Sequence, residues 1–197
     1  MKIIIDLQGL QSEGSRKRGI GRYSLSLIKN LISYFPSNEY ILLANGSITD
    51  VSNDFKDEIL NTDLNVTYFK WYSPLIKSKG FVFNSKKISA VEKMRTFLFN
   101  SLDSDVILIT SFFEGFNDNT FVGFEFENLI PKVVSIFYDL IPLLNPKQYL
   151  ESNPAYKKFY LEKVYKLSQL DGLLTISNSA LLEAETCLDF DESCLCN

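Results

Sequence analysis

The chain has 197 residues, 46% of them hydrophobic, and a formal net charge of −4. This length suits one domain with a substantial core, and the negative charge argues against a nucleic-acid-binding protein, which would usually be basic. The sequence contains no histidine, which excludes Ser-His-Asp and Cys-His catalysis and removes the commonest general base.

The chain begins with a predicted strand, a polar loop and a helix. Residues 2–7 are almost wholly apolar, as in a strand buried on both faces. The polar, glycine-containing segment 8–18 predicts a flexible loop. Apolar residues at helical spacing then predict a helix from about residue 20 to residue 34.

The start of this helix carries the most informative motif. Gly19 and Gly21 open it, and Arg22 with the basic run 16–18 brings four positive charges to the same place. Backbone N–H groups and the helix dipole can hold an anion there, so we predict that Gly19, Gly21 and Arg22 bind a phosphate group. The alternative is a tight turn with a solvated basic tip. A nicotinamide-type motif is disfavoured, because the glycines do not follow the strand directly and Ser24 replaces the third one.

The rest of the sequence alternates between predicted strands and helices. The predicted strands are 40–44, 65–69, 106–110, 133–137 and 172–176, and a further strand starts near Cys194. The predicted helices are 51–60, 88–102, 156–170 and one that Ser177 caps and that runs to about residue 188. This alternation predicts an α/β fold, with a doubly wound, mostly parallel, Rossmann-like sheet in one domain.

Polar residues follow several of these strands at the edge where such sheets bind their ligands. Besides the glycine motif, they are Ser111, Glu114, Tyr138, Asp139 and Ser177. Because the carboxyl ends of parallel strands meet at one edge, we expect these residues to form a single site. The alternative for Asp139 is a turn residue that caps the following segment, and for Glu114 a solvated loop carboxylate.

The cysteines and the start of the chain indicate a reducing compartment. Cys187, Cys194 and Cys196 all lie near the end, and their odd number does not suit a disulfide framework. Met1 leads almost directly into the first strand rather than into a signal peptide. No apolar run reaches the length of a membrane span, so we expect a cytoplasmic protein.

Five blocks of the sequence together resemble the N-terminal half of a retaining GT-B glycosyltransferase of family 4. The resemblance covers the chain from residue 2 to about residue 188, and the order of the blocks along the chain makes it specific. The blocks are Ile3–Leu7, Gly19–Tyr23, Asn38–Leu43, Ser135–Leu143 and Asp171–Ser179.

The resemblance implies transfer of a sugar from a nucleotide-sugar to a glycan or lipid-linked acceptor in cell-surface polysaccharide or lipopolysaccharide synthesis. In such an enzyme two Rossmann-like domains face each other, the N-terminal one holding the acceptor and the C-terminal one the nucleotide. No second domain follows within residues 1–197, so we expect the C-terminal domain to be missing and the isolated chain to be inactive. A reaction without metal or other cofactor is also implied.

The resemblance assigns a role to each residue of the predicted site. Tyr138 and Asp139 would be the catalytic residues at the reaction centre. Many relatives have a histidine at the position of Tyr138, and a phenol can still donate one hydrogen bond. The residues that would meet the donor diphosphate are Gly19, Gly21 and Arg22. The residues that would shape the acceptor site are Ser111, Glu114 and Ser177.

A basic segment with aromatic residues bears on the kind of acceptor. Such a segment can lie on an anionic membrane surface, which would place the protein peripherally at the inner face of the membrane. The alternative, which we favour, is an ordinary loop whose phenylalanines pack inward. The residues are Lys77, Lys79, Phe81, Phe83, Lys86 and Lys87.

Two other functions remain open at the level of sequence. The first is a non-catalytic sugar- or nucleotide-binding module with the same fold. The second is another doubly wound enzyme, such as a phosphatase or hydrolase, with Asp139 as nucleophile. No D-x-D pattern follows Asp139, and Ser111 does not lie in a G-x-S-x-G elbow.

Overall fold

The structure, a computed structural model, describes residues 1–60, 65–74, 85–188, 190 and 192–196. Its strands are β1 Lys2–Asp6, β2 Glu39–Asn45, β3 Val66–Trp71, β4 Val106–Ile109, β5 Lys132–Phe137, β6 Gly172–Thr175 and β7 Leu195–Cys196. Its helices are α1 Gln8–Gln11, α2 Gly19–Tyr34, α3 Asn53–Leu60, α4 Ser85–Ser101, α5 Ile141–Leu144, α6 Pro146–Tyr149, α7 Pro154–Leu167 and α8 Asn178–Cys187. Every strand and helix predicted from the sequence is present.

The strands form a single parallel sheet in the order β3-β2-β1-β4-β5-β6-β7. β1 is central, with Ile4 opposite Ile41 of β2 on one side and Ile107 of β4 on the other. The strand order reverses direction between β1 and β4, which is the place where open α/β sheets bind ligands. The prediction of a doubly wound, Rossmann-like α/β fold is therefore confirmed.

Both faces of the sheet are covered by helices. Ile3 and Ile5 belong to a core that contains buried residues of α2 and α3, whereas Ile4 belongs to a second core with residues of α4, α7 and α8. Successive residues of a strand point to opposite faces, so an unbroken apolar run is what a central strand needs here. The first strand was recognisable for this reason.

The segment between β1 and α2 differs from the prediction of a flexible loop. It contains α1, and the side chains of Gln8, Gln11 and Ser15 are buried. Gln8 Nε2 donates to the carbonyl of Phe121 at 2.5 Å, and Gln11 Nε2 donates to the carbonyl of Asn45 at 3.0 Å. Buried amides need such partners, and these bonds hold the segment against the neighbouring loops.

Two short helices, α5 and α6, follow β5 in a stretch where the sequence indicated no helix. Each has a proline at its N-terminal end, Pro142 in α5 and Pro146 in α6. Proline suits the first turn because the N–H that it lacks has no partner there. These helices lead the chain from the end of β5 to α7.

Candidate functional site

The polar residues of the predicted site follow four neighbouring strands of the parallel sheet. The glycine motif comes after β1, Ser111 after β4, Asp139 after β5 and Ser177 after β6. Since the strands are parallel and adjacent, their carboxyl ends lie on the same edge. This edge is the candidate site.

The two glycines of the motif have different surroundings. A Cβ on Gly21 would lie 2.6 Å from the carbonyl oxygen of Arg16 and 2.7 Å from that of Ser15. The N–H of Gly21 donates to the same Ser15 oxygen at 3.1 Å. Gly19 is exposed, and a Cβ there would have nothing within 4 Å. Gly21 is therefore needed for close packing of the loop on α2, while Gly19 leaves open space at the helix start.

Glu114 is buried and joins two of the loops. Its Oε1 accepts hydrogen bonds from the hydroxyls of Ser15 and Ser111, the latter at 2.8 Å. Ser15 belongs to the β1–α2 segment and Ser111 to the loop after β4. The reading of Glu114 as a solvated loop carboxylate is therefore wrong.

Asp118 makes a second connection between the same loops. Its Oδ2 accepts from Ser12 Oγ at 2.7 Å and from the N–H of Glu13 at 2.9 Å, while its Oδ1 accepts from the N–H and hydroxyl of Thr120. Burial alone would raise the pKa of Asp118, but these hydrogen bonds favour the carboxylate and lower it. We refer to the two carboxylates and their partners as the clasp: Ser12, Glu13, Ser15, Ser111, Glu114, Asp118 and Thr120.

The Tyr138 hydroxyl is engaged inside the protein. It lies 2.8 Å from Ser24 Oγ, 3.2 Å from the carbonyl oxygen of Thr110 and 3.3 Å from that of Ile20. Burial raises the pKa of Tyr138 to about 12, so the phenol is neutral at physiological pH. These contacts tie the end of β5 to the first turns of α2.

Asp139 and Ser177 each make a local hydrogen bond that shapes the chain. Asp139 Oδ1 accepts from the N–H of Ile141 at 3.1 Å, as in a turn, and the residue remains half-buried. Ser177 Oγ accepts from the N–H of Ala180 at 3.2 Å and so caps α8. Arg22 is exposed on α2.

A buried ion pair lies at the base of this edge. Arg95 of α4 and Asp6 at the end of β1 are 2.6 Å apart, Nη2 to Oδ2, and both are almost fully buried. Asp6 Oδ1 also accepts from the N–H of Gln8 at 3.0 Å. The guanidinium stacks over Trp71 and Phe99, with centroids at 5.1 and 4.8 Å. The pair thus fixes α4 against the point where β1 enters the β1–α2 segment.

Several residues of this edge were not found by sequence reasoning. The clasp partners Ser12, Ser15 and Asp118 lie in polar stretches that look like any loop, and only the fold brings them together. Arg95 could have been recognised from the sequence, because it falls at an apolar position of the α4 pattern. A charged residue within an apolar stripe indicates a buried ion pair, and the sheet supplies Asp6.

The basic and aromatic segment is covered by the structure only in part. Lys77, Lys79, Phe81 and Phe83 lie outside the described residues. Lys86 and Lys87 are exposed in the first turn of α4. Across the parts of the chain that are described, we find no helix with the length and apolarity that a membrane crossing requires.

Comparison with known proteins shows what the chain is similar to. The chain is 32% identical over 188 residues to the "Serotype-specific mannosyltransferase WbdA" of Escherichia coli, an alignment that covers 93% of the chain. A second protein with the same name and organism is 31% identical over 137 residues. The chain is therefore similar to one part of a mannosyltransferase. It spans only 22% and 16% of the length of these relatives.

A solved structure agrees with this fold. The glycosyltransferase UGT2 of Phytolacca americana, in complex with UDP-2-fluoro-glucose and pterostilbene, superposes with a TM-score of 0.52 and 8% identity. The match covers 99% of this chain and 52% of that one, so the fold of this chain corresponds to about half of the larger protein. No family model matches the chain.

Proposed function

We propose that the chain is the N-terminal, acceptor-side half of a retaining GT-B glycosyltransferase of family 4. In this proposal the longer protein moves a sugar from a nucleotide-sugar to a glycan or lipid-linked acceptor during cell-surface polysaccharide synthesis, and a second Rossmann-like domain binds the nucleotide. The main support is the alignment with a mannosyltransferase, which covers 93% of the chain at 32% identity. The name of that relative favours mannose as the transferred sugar.

The geometry supports a donor-diphosphate site at the start of α2. Gly19 is exposed with open space around it, and Arg22 is exposed on the same helix. The helix dipole and the guanidinium can stabilise the negative charge that develops on a departing diphosphate. Gly21 acts in this proposal through the shape of the loop, because its N–H already donates to Ser15.

The acceptor side of the reaction centre is assigned to the ends of β4, β5 and β6. Asp139 is the proposed catalytic carboxylate, and its half-buried position leaves it accessible from the edge. Tyr138 would act by fixing the start of α2, since its hydroxyl is bonded there. Ser111 and Glu114 would hold the loop after β4 through the clasp, and exposed Ser177 would contact the acceptor.

The test is a transfer assay with the longer protein that contains this chain. Thermal shifts with UDP-, GDP- and dTDP-sugars identify the donor, and radiolabelled sugar transfer then gives kcat. We expect Asp139→Asn to lower kcat by about a hundredfold or more with donor affinity unchanged. Asp103→Asn is the matched control, because Asp103 is exposed before β4 on the opposite edge and asparagine tolerates its positive φ.

The same assay separates the enzyme from the alternative, a non-catalytic binding module of this fold. Donor binding without detectable transfer, in wild type and both variants alike, would favour the module. Peripheral attachment at the cytoplasmic face of the membrane is a separate part of the proposal. Sedimentation with anionic liposomes at low salt tests it, and the absence of co-sedimentation would remove it.

A further inference from the structure

A cavity lies on the α4 and α7 side of the sheet, next to the clasp. Its volume is about 370 Å³, and α4, α7 and the loop between β4 and β5 line it. Ile88, Phe121, Val122 and Phe159 make its walls mainly apolar. The volume is at the lower end of the range of roughly 300–1,000 Å³ that is usual for small-molecule sites. We call it the α4–α7 cavity.

Lys163 of α7 also lines this cavity, without an ion-pair partner in the described part of the chain. Its Nζ lies over the rings of Phe112 and Phe159, at 5.0 and 5.6 Å from their centroids. Aromatic faces stabilise an ammonium group, but they do not neutralise its charge. Lys158 and Lys166 also line the cavity, but each of them pairs with a glutamate. The charge of Lys163 is not paired in this way, so the cavity is complementary to a ligand that is apolar and acidic.

The carboxylates that line the cavity all contact other groups. Asp118 accepts hydrogen bonds from Ser12 and Glu13, and Glu162 lies 3.9 Å from Lys158. Glu92 of α4 pairs with Lys166, and Glu114 accepts from Ser15 and Ser111. Lys166 and Arg95 face Lys163 as positive charges. Burial, with help from these two cations, lowers the pKa of Lys163 to about 7, although Glu114 and Glu92 act in the opposite direction. An anion in the cavity would restore the charged form.

We propose that the α4–α7 cavity binds an amphipathic anion, whose acid group pairs with Lys163 and whose apolar body packs against Ile88, Phe121 and Phe159. The acid can be a phosphate, as in a lipid headgroup, or a carboxylate. This site is separate from the donor-diphosphate site at the start of α2, and it does not depend on the transferase assignment.

Calorimetric titration of the chain with eight-carbon probes tests the proposal. At pH 6, where Lys163 is charged, octyl sulfate should bind at least about tenfold more tightly than octanol, because only the sulfate pairs with Lys163. Octyl trimethylammonium should bind more weakly than octanol. Octyl phosphate and octanoate show which acid is preferred. Equal affinity for octyl sulfate and octanol would overturn the proposal.

The residue and its charge are tested with two matched variants. Lys163→Met keeps an apolar stem and should reduce the affinity for octyl sulfate to that for octanol. Lys158→Met is the control, because Lys158 lies on the same helix at the same cavity but is exposed and near Glu162. Circular dichroism checks that both variants fold. An equal loss in the two variants, or no loss in Lys163→Met, would contradict the assignment.

The pH dependence provides a readout that a purely apolar pocket would not show. Octyl sulfate stays anionic throughout, so only the protein titrates. Its affinity should fall about tenfold between pH 6 and pH 8 as free Lys163 loses its proton, and the affinity for octanol should stay constant. A flat profile for octyl sulfate would also count against the proposal.

Discussion

At the scale of single residues, the two glycines of the motif should differ in how well they tolerate a larger side chain. Gly21→Ala places a methyl group 2.6 Å from a backbone oxygen that belongs to the loop. We expect it to lower the free energy of unfolding by about 1–3 kcal/mol, as overpacking usually does. Gly19→Ala, in open space, should change stability by less than about 0.5 kcal/mol. Urea denaturation of both variants measures this difference, and equal stability would contradict the packing role of Gly21.

The surroundings of single residues could be predicted only where the residue type restricts the local structure. The glycines marked the start of α2 because a loop meets a helix there. Glu114 gave no sign of burial, since a carboxylate in a polar stretch looks the same whether it is solvated or bonded. Its environment depends on Ser15, 99 positions away in the sequence. Only the fold brings such pairs together.

Tyr138 shows a further limit at this scale. Its place after a strand indicated the site, but its hydrogen bonds to Ser24 and to two carbonyl groups follow from packing between β5 and α2. The sequence therefore predicted that Tyr138 follows a strand, but it did not predict the hydrogen-bond partners of its hydroxyl.

At the scale of elements, the ion pair between α4 and β1 should matter for stability. Removing one partner should destabilise the fold strongly, whereas replacing both partners with apolar side chains should destabilise it less. Arg95→Met alone leaves the buried Asp6 carboxylate without its cation, and we expect a loss of about 3–5 kcal/mol in the free energy of unfolding. The double variant Asp6→Leu with Arg95→Met should recover much of this loss, because two apolar side chains need no partner.

Chemical denaturation of wild type, both single variants and the double variant tests this coupling. Lys93→Met is the control for the arginine change, because Lys93 is exposed on the same helix and only 4.0 Å from Glu125 in a weak surface pair. Additive effects of the two single changes would show that Asp6 and Arg95 act separately.

The Asp118 carboxylate of the clasp predicts that the stability of the protein depends on pH. The folded pKa of Asp118 is lower than its unfolded value near 3.8, so its contribution to stability is present above that pH. This contribution is lost as the pH falls through the folded pKa. Asp118→Asn should therefore be less stable than wild type at pH 7 and should lose less stability on acidification.

Stability curves between pH 7 and pH 2 check this prediction, with Asp57→Asn as the control because Asp57 is exposed on α3. Parallel curves for wild type and Asp118→Asn would contradict a lowered pKa in the folded state.

The elements themselves were largely predictable because hydrophobic periodicity reports burial directly. Unbroken apolar runs such as β1 and β4 indicated central parallel strands, and both lie in the middle of the sheet. The β1–α2 segment was mistaken for a flexible loop because its buried groups are polar. Gln8 and Gln11 satisfy their amides through bonds to distant backbone groups, and periodicity does not detect such burial.

At the scale of the whole molecule, the proposed function predicts a difference between this chain and the longer protein that is proposed to contain it. If the nucleotide binds mainly to the other half, the isolated chain should show a thermal shift below about 1 °C with any nucleotide-sugar. The longer protein at a hundredfold excess over Kd should gain about 2.7 kcal/mol. Differential scanning fluorimetry compares the two, and an equal shift in both would place the main nucleotide site in this chain.

The clasp also implies that hydrogen exchange is coupled at two amide groups near the start of α2. The N–H of Glu13 is held by Asp118, and that of Gly21 by the backbone of Ser15, whose side chain is held by Glu114. Separation of the two segments would release the Glu13 N–H directly and would free Ser15, on which the bond of the Gly21 N–H depends. The exchange rates of these two N–H groups should therefore rise and fall together, as expected for one cooperative opening unit.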